Sequence, residues 1–262
     1  MDVILPTNYR PERLNSTLSS LLLQDLNDQR TLHLVDNSRQ GVVCDKQISK
    51  LLVAFRRTGW KVDYVRTQLK TISRLKLQAL SLGTDACITL LDNDIVFTRA
   101  DTLKSLLTVL ENYDVACVSP LAYDVDSERP ILNGFAYMYD SVASDENGVS
   151  EGNIALGPCL CMWREDFEAV KPQWCPDLPY MEDQVLVHFL KKRRGYAFLK
   201  THMVLHFSYA EKPTYRFDNR EVLAYLESKL MTDPTLKDLR DLRSNGRDGA
   251  DFPRRVMRKW RG

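Results

Sequence analysis

Ala86-Cys87-Ile88-Thr89-Leu90-Leu91-Asp92-Asn93-Asp94-Ile95 is the stretch that decides how the chain reads. Residues 86–91 are apolar almost throughout, strand-sized, and suited to a strand covered on both faces. Two carboxylates one residue apart follow at once, and the alternation of side chains along extended backbone turns them to the same side. Away from water such a pair repels itself and needs a proton or a cation. A divalent metal bound to the pair and to a diphosphate would satisfy it, and would stabilise charge building on a departing phosphate. A solvated turn at a strand end uses the same residues, so the pair alone leaves both readings open.

Working outward, short apolar runs alternate with longer amphipathic ones. Residues 3–5, 31–35 and 62–65 read as further strands. Between them, 12–24 places Leu14, Leu18, Leu21 and Leu22 at helical spacing, 46–57 looks helical, and 72–82 is a helix with Gly83 at its stop. The alternation predicts an α/β fold with a mostly parallel central sheet covered by helices. Ligands of such sheets sit beyond the carboxyl ends of the strands. Three polar clusters fall there: Thr7-Asn8-Tyr9-Arg10, Asp36-Asn37 and Asp92-Asn93-Asp94. Downstream, 101–112 is a predicted helix and 115–120 a strand, while polar 123–153 reads as loops and short strands near a site. Strands over 157–163 and 197–207 and helices over 164–170, 181–194 and 220–231 complete the pattern. The second half is therefore expected to be mixed, and the charge-rich remainder from 233 mostly surface.

Composition excludes several classes. A hydrophobic share of 44% with 27% charged residues is globular usage and rules out wholesale disorder, and 11 Gly with 11 Pro rules out a collagenous chain. No run approaches the ~20 apolar residues of a membrane span. Asp2-Val3-Ile4-Leu5-Pro6 lacks the basic and apolar regions of a secretory signal. The six cysteines form no C-x-x-C pair, and Cys159 and Cys161 share one face of a predicted strand as packing residues, so a reducing cytoplasm is expected.

The ordered clusters resemble the GT-A-fold, family 2 glycosyltransferases over about residues 3–207. The opening strand, Pro6-Thr7-Asn8-Tyr9-Arg10 and the Leu-rich helix are similar to the family's nucleotide-binding turn, with the usual Tyr-Asn order reversed. Val35-Asp36-Asn37-Ser38 resembles its Val-Asp-Asp-Gly-Ser turn. Ser73-Arg74-Leu75 sits where the family has Ala-Arg-Asn, with Leu75 in place of Asn. Asp92-Asn93-Asp94 matches the D-x-D, Glu182-Asp183 the Glu-Asp motif, and Val204-Leu205-His206-Phe207 the later strand that supplies a His.

The resemblance implies a metal-dependent, inverting transferase using a UDP-sugar and Mn2+ or Mg2+. It implies Asp183 as catalytic base beside Glu182, Asp94 as metal ligand, Asp92 on ribose or metal, and His206 completing the metal shell. Asp36 would bind uracil, while Pro6, Thr7, Tyr9, Arg10, Arg74 and Asn93 would line the nucleotide. Read bottom-up, such residues have other uses. Glu182-Asp183 can complement a helix dipole, His206 can be a hydrogen-bonded core residue, Asp36 can end a strand, and Arg10 and Arg74 can be exposed charges or phosphate clamps. Trp163 and Trp174 fit either an acceptor cleft or the core.

The +1 net charge hides a division: residues 189–262 hold 18 Lys and Arg against 9 Asp and Glu, a surplus of +9, leaving −8 over 1–188. The chain thus reads as a transferase domain over 1–207, with a nucleotide-sugar half (1–120) and an acceptor half (121–207), followed by a basic, partly helical extension over 208–262. Lys191-Lys192-Arg193-Arg194 and the basic 253–261 segment suit an anionic acceptor or surface: a lipid-linked glycan, a membrane or DNA. A surface-glycan or lipid-linked precursor is the expected acceptor, at or near the inner face of a membrane, with no obligate protein partner. A viral DNA-modifying transferase acting on hydroxymethylated bases is the alternative. A nucleotidyltransferase would open on a Gly-rich phosphate loop, which residues 6–9 do not form; a non-catalytic nucleotide-sugar or nucleic-acid binding module would keep the ligands without the base.

Overall fold

Val3, Ile4 and Leu5, Leu32, Leu34 and Val35, and Ile88, Leu90 and Leu91 have no side chain left to solvent. Strands this apolar on both faces must lie in the middle of a layered structure. In the computed structural model, which describes residues 1–8, 10–26, 30–69, 71–125, 129–130, 144–151, 157–174, 176 and 182–207, they do. Strand β1 (Asp2–Thr7) pairs in parallel with β2 (Thr31–Asp36) on one side and with β4 (Cys87–Leu91) on the other, and β3 (Lys61–Arg66) extends the sheet beyond β2. Helices α1 (Pro11–Leu22), α2 (Lys46–Arg57) and α3 (Ile72–Leu80) connect these strands.

Each helix has a local reason to start. Proline opens α1, where its missing N–H costs nothing. The Asp45 side chain caps α2 by accepting from the Gln47 and Ile48 amides, and Arg56 and Arg57 complement the dipole at its other end. Thr71 caps α3 through the Arg74 amide. Gly83, expected as a helix stop, is required by packing: a Cβ there would lie 2.6 Å from Ile88 Cγ2.

The second half of the sheet is mixed. Strand β9 (Cys159–Trp163) runs antiparallel between β4 and β6 (Cys117–Asp124), and β10 (Tyr196–His206) runs parallel to β6. Strand β5 (Ile95–Phe97), which the periodicity does not reveal, pairs antiparallel with β10, setting Ile95 opposite His206. The order is β3-β2-β1-β4-β9-β6-β10-β5, with β7 (Arg129–Pro130) on β6 and β8 (Val149–Glu151) on β10. Helix α4 (Thr102–Asn112) leads into β6, α5 (Arg164–Val170) follows β9, and α6 (Glu182–Arg194) leads into β10.

The buried Asp166 of α5 receives Arg193 Nε at 2.9 Å and Arg194 Nε at 3.0 Å from α6. Arg193 and Arg194 of the basic run 191–194 are therefore engaged in joining two helices. Cys87, Cys117, Cys159 and Cys161 are buried free thiols within the sheet. No helix among the described residues is long and apolar enough to cross a membrane. Tyr9, most of 123–153, the helix expected over 220–231 and the basic extension lie outside the described residues.

Candidate active site

The parallel strands β1 and β4 end side by side, and the polar residues that follow them are tied together at once. Asn93 Nδ2 donates to Thr7 Oγ1 at 2.8 Å, and the Asp92 amide donates to the Pro158 carbonyl at 2.9 Å. Asp92-Asn93-Asp94 is thus a turn between β4 and β5, clasped from β1 on one side and from the entry to β9 on the other. Asn93 faces Thr7, while the two carboxylates turn toward β10.

There they meet His206. One ligand atom from each of Asp92, Asp94 and His206 lies within 4.8 Å of the other two. His206 Nε2 is 3.3 Å from Asp94 Oδ1, and Arg10 Nη1 is 3.8 Å from Asp94 Oδ2. The Phe207 amide donates to the Asp94 carbonyl at 2.9 Å, so backbone pairing as well as side-chain contact sets the histidine beside the acid. Two carboxylates and an imidazole within this span fit a hard divalent cation such as Mn2+ or Mg2+.

The Glu-Asp pair opens α6 next to this cluster. Glu182 is buried, and its Oε1 lies 2.8 Å from Lys76 Nζ; the same ammonium is 2.9 Å from Asp92 Oδ1. Burial alone would depress the Lys76 ammonium, but Asp92, Glu182 and Asp183 outweigh it and hold its pKa well above the usual range. Burial pushes the Asp92 carboxyl up; Lys76 pulls it back and Asp94 adds to the rise. Asp183 stands half-buried against Gly157, where a Cβ would come within 1.7 Å of Asp183 Oδ2. A side chain at 157 would push that carboxylate from its present place.

Lys76 is the residue that sequence reasoning missed. Its signal was present: four residues after Ile72 and three before Ala79, it falls on the buried face of α3 beside Leu75 and Leu80. A lysine on an apolar stripe needs an anion.

The remaining expected residues divide. Thr7 belongs to the clasp, Pro6 is buried in β1, and Arg10 stands beside Asp94. Arg74 is exposed on α3. Asp36, expected to receive uracil, is held by three hydrogen bonds from within the protein. It is wholly buried and accepts from the Ser38 amide at 2.8 Å, the Val42 amide at 2.7 Å and the Tyr64 hydroxyl at 2.6 Å. Its carboxylate shapes the loop after β2. Trp174 is buried and donates from Nε1 to Ser73 Oγ at 2.7 Å, while Thr71 Oγ1 donates to the Pro176 carbonyl at 2.7 Å. Both bonds fix the segment before α6 to the start of α3. His202 pairs with Asp101 at 3.2 Å, away from the cluster.

No model of a known protein family matches the sequence, and no curated protein matches it. Solved structures do match by shape. The mannosyltransferase PcManGT from Pyrobaculum calidifontis, in complex with GDP-Man and Mn2+, has a TM-score of 0.62 at 16% identity over 90% of this chain and 66% of that one. TarS 1-349 of S. aureus in complex with UDP gives 0.56 at 15% identity, over 79% and 60%. GalNAc-T7 with UDP, GalNAc and Mn2+ gives 0.62 at 11% identity, over 80% and 44%. The chain thus spans less than two-thirds of the length of these TarS structures. The likenesses establish the fold, an α/β sheet of the GT-A glycosyltransferase type.

Proposed function

We propose that the chain is a metal-dependent, inverting glycosyltransferase that moves a sugar from a UDP-sugar to a hydroxyl of a surface-glycan or lipid-linked precursor. The observation that carries this reading is the convergence of Asp92, Asp94 and His206 beside the α6 terminus that bears Asp183.

A single displacement needs two things from the protein. The acceptor oxygen attacks the anomeric carbon as the bond from that carbon to the diphosphate oxygen breaks, and Asp183 takes the acceptor proton. The diphosphate leaves with the bonding electrons, and a divalent cation would supply the opposing charge. Asp94, His206 and Asp92 would hold that cation, and Arg10 and Arg74 would add donors for phosphate oxygens. Thr7 and Asn93 keep the D-x-D turn in register with β1. Asp36 keeps the base-side loop in shape through its bonds to the Ser38 and Val42 amides.

Mass analysis tests this directly. The protein is incubated with a panel of UDP- and GDP-sugars and Mn2+, offering lipid-linked glycans and hydroxymethylcytosine DNA as acceptors. A UDP-sugar-dependent gain of one sugar on the glycan is expected. Transfer to DNA instead would replace the acceptor assignment, and neither transfer nor donor hydrolysis with any sugar would sink the enzyme reading.

The Gly157 contact gives a second expectation. Gly157→Ala should displace the Asp183 carboxylate and lower kcat by about 10²-fold, the usual scale for a reacting group moved by an ångström. Donor KM should change little, because Asp183 is not assigned to the nucleotide. A wild-type kcat would show that the close approach has no catalytic value.

A further inference from the structure

Lys76 touches both halves of the site. Its side chain is 5% exposed, and its ammonium lies within hydrogen-bond distance of the D-x-D turn through Asp92 and of the α6 terminus through Glu182. Burying an ammonium is costly unless anions compensate it, and a structural counterion could have been supplied at the surface. Here the compensating anions are a candidate metal ligand and the neighbour of the candidate base. The helix that carries Lys76 is itself pinned to the segment before α6 by the Trp174–Ser73 and Thr71–Pro176 bonds.

We propose that Lys76 is a positioning residue that shares Asp92 with the divalent cation and, through Glu182, sets the α6 terminus so that Asp183 faces the acceptor. This rests on the glycosyltransferase reading for its catalytic half, but not for its metal half. Two consequences follow, of opposite sign. An ammonium on one oxygen of Asp92 competes with a cation for that carboxylate, so removing its charge strengthens metal binding. Removing the same group releases Glu182 and loosens the placement of Asp183, so turnover falls. A defect of packing alone would weaken both.

The test uses the full chain and Lys76→Met. Free Mn2+ is titrated by electron paramagnetic resonance without nucleotide, and kcat and donor KM are measured with the sugar and acceptor found by the panel. The Mn2+ Kd is expected to fall at least about tenfold, the scale of losing a nearby unit charge even at a water-like effective dielectric. The kcat is expected to fall about 10²-fold with KM nearly unchanged. Because a lone buried anion can unfold the variant, Lys76→Met/Glu182→Gln is carried in parallel; it removes one negative charge with the positive one, so a smaller tightening of Mn2+ and the same fall in kcat are expected.

Mn2+ binding no tighter than wild type overturns the sharing of Asp92, and an unchanged kcat overturns the link to Asp183. Loss of folding in both variants assigns Lys76 to the core and overturns the proposal whole. If the wild-type protein transfers no sugar, the glycosyltransferase reading fails, while the Mn2+ titration still decides whether Lys76 and the cation share Asp92.

Discussion

Asp94→Ala should abolish Mn2+-dependent nucleotide binding and lower sugar transfer by about 10³-fold. The magnitude follows from several kcal/mol of charge stabilisation at the leaving diphosphate, with each ~1.4 kcal/mol worth a factor of ten. Asp94 is the member of the cluster with the most direct claim: it is buried, one oxygen faces His206 and the other faces Arg10. Its backbone carbonyl holds the Phe207 amide, and that bond survives removal of the side chain. The variant should therefore fold with β10 in place. Calorimetric titration of UDP with and without Mn2+ checks the result. An affinity that responds to Mn2+ as in wild type would remove Asp94 from the metal site.

Asp183→Asn should do something narrower. A general base contributes about 10² to 10⁴ in rate, so kcat should fall within that range while Mn2+ and UDP binding stay within about twofold of wild type. The substitution preserves shape, so the amide still fits against Gly157. Steady-state rates with saturating donor, set beside the calorimetric affinities, make the separation: Asp94→Ala loses binding and chemistry, Asp183→Asn loses chemistry alone. Transfer at the wild-type rate would give the proton to another group.

The parallel half of the sheet was legible because its information is local. The predicted helix over 46–57 coincides with α2, and β1, β2 and β4 agree with their apolar runs to within a residue or two. The three metal-ligand candidates could be named because each stands at a strand end inside a recognisable run. What could not be read depends on partners far along the chain. Strand β5 is three residues long, and its pairing lies across the sheet on β10. The direction of β9 is set by strands on both sides of it. Lys76 draws its meaning from residues 92 and 182, which no window around position 76 contains. The partners of Asp36 are hidden for the same reason: the Val42 amide and the Tyr64 hydroxyl that close on it lie 6 and 28 residues away.

The pairing of β10 with β5 bears on how the protein is made. Among the described strands, β5 pairs with β10 alone, and His206 is the final residue of β10. During synthesis Asp92 and Asp94 leave the ribosome long before that strand exists, so the nascent chain carries an acidic pair with no third ligand and a β5 that has α1 beside it but no partner strand. Closing this long loop is entropically costly and slow compared with forming the local helices. A cation gripped by all three residues would bind the completed sheet and not its precursor, adding about 2.7 kcal/mol at a hundred times its Kd. Chelation should accordingly loosen this edge first, and the ion would serve the chain as a latch on the last-made of its described strands before it ever meets a sugar.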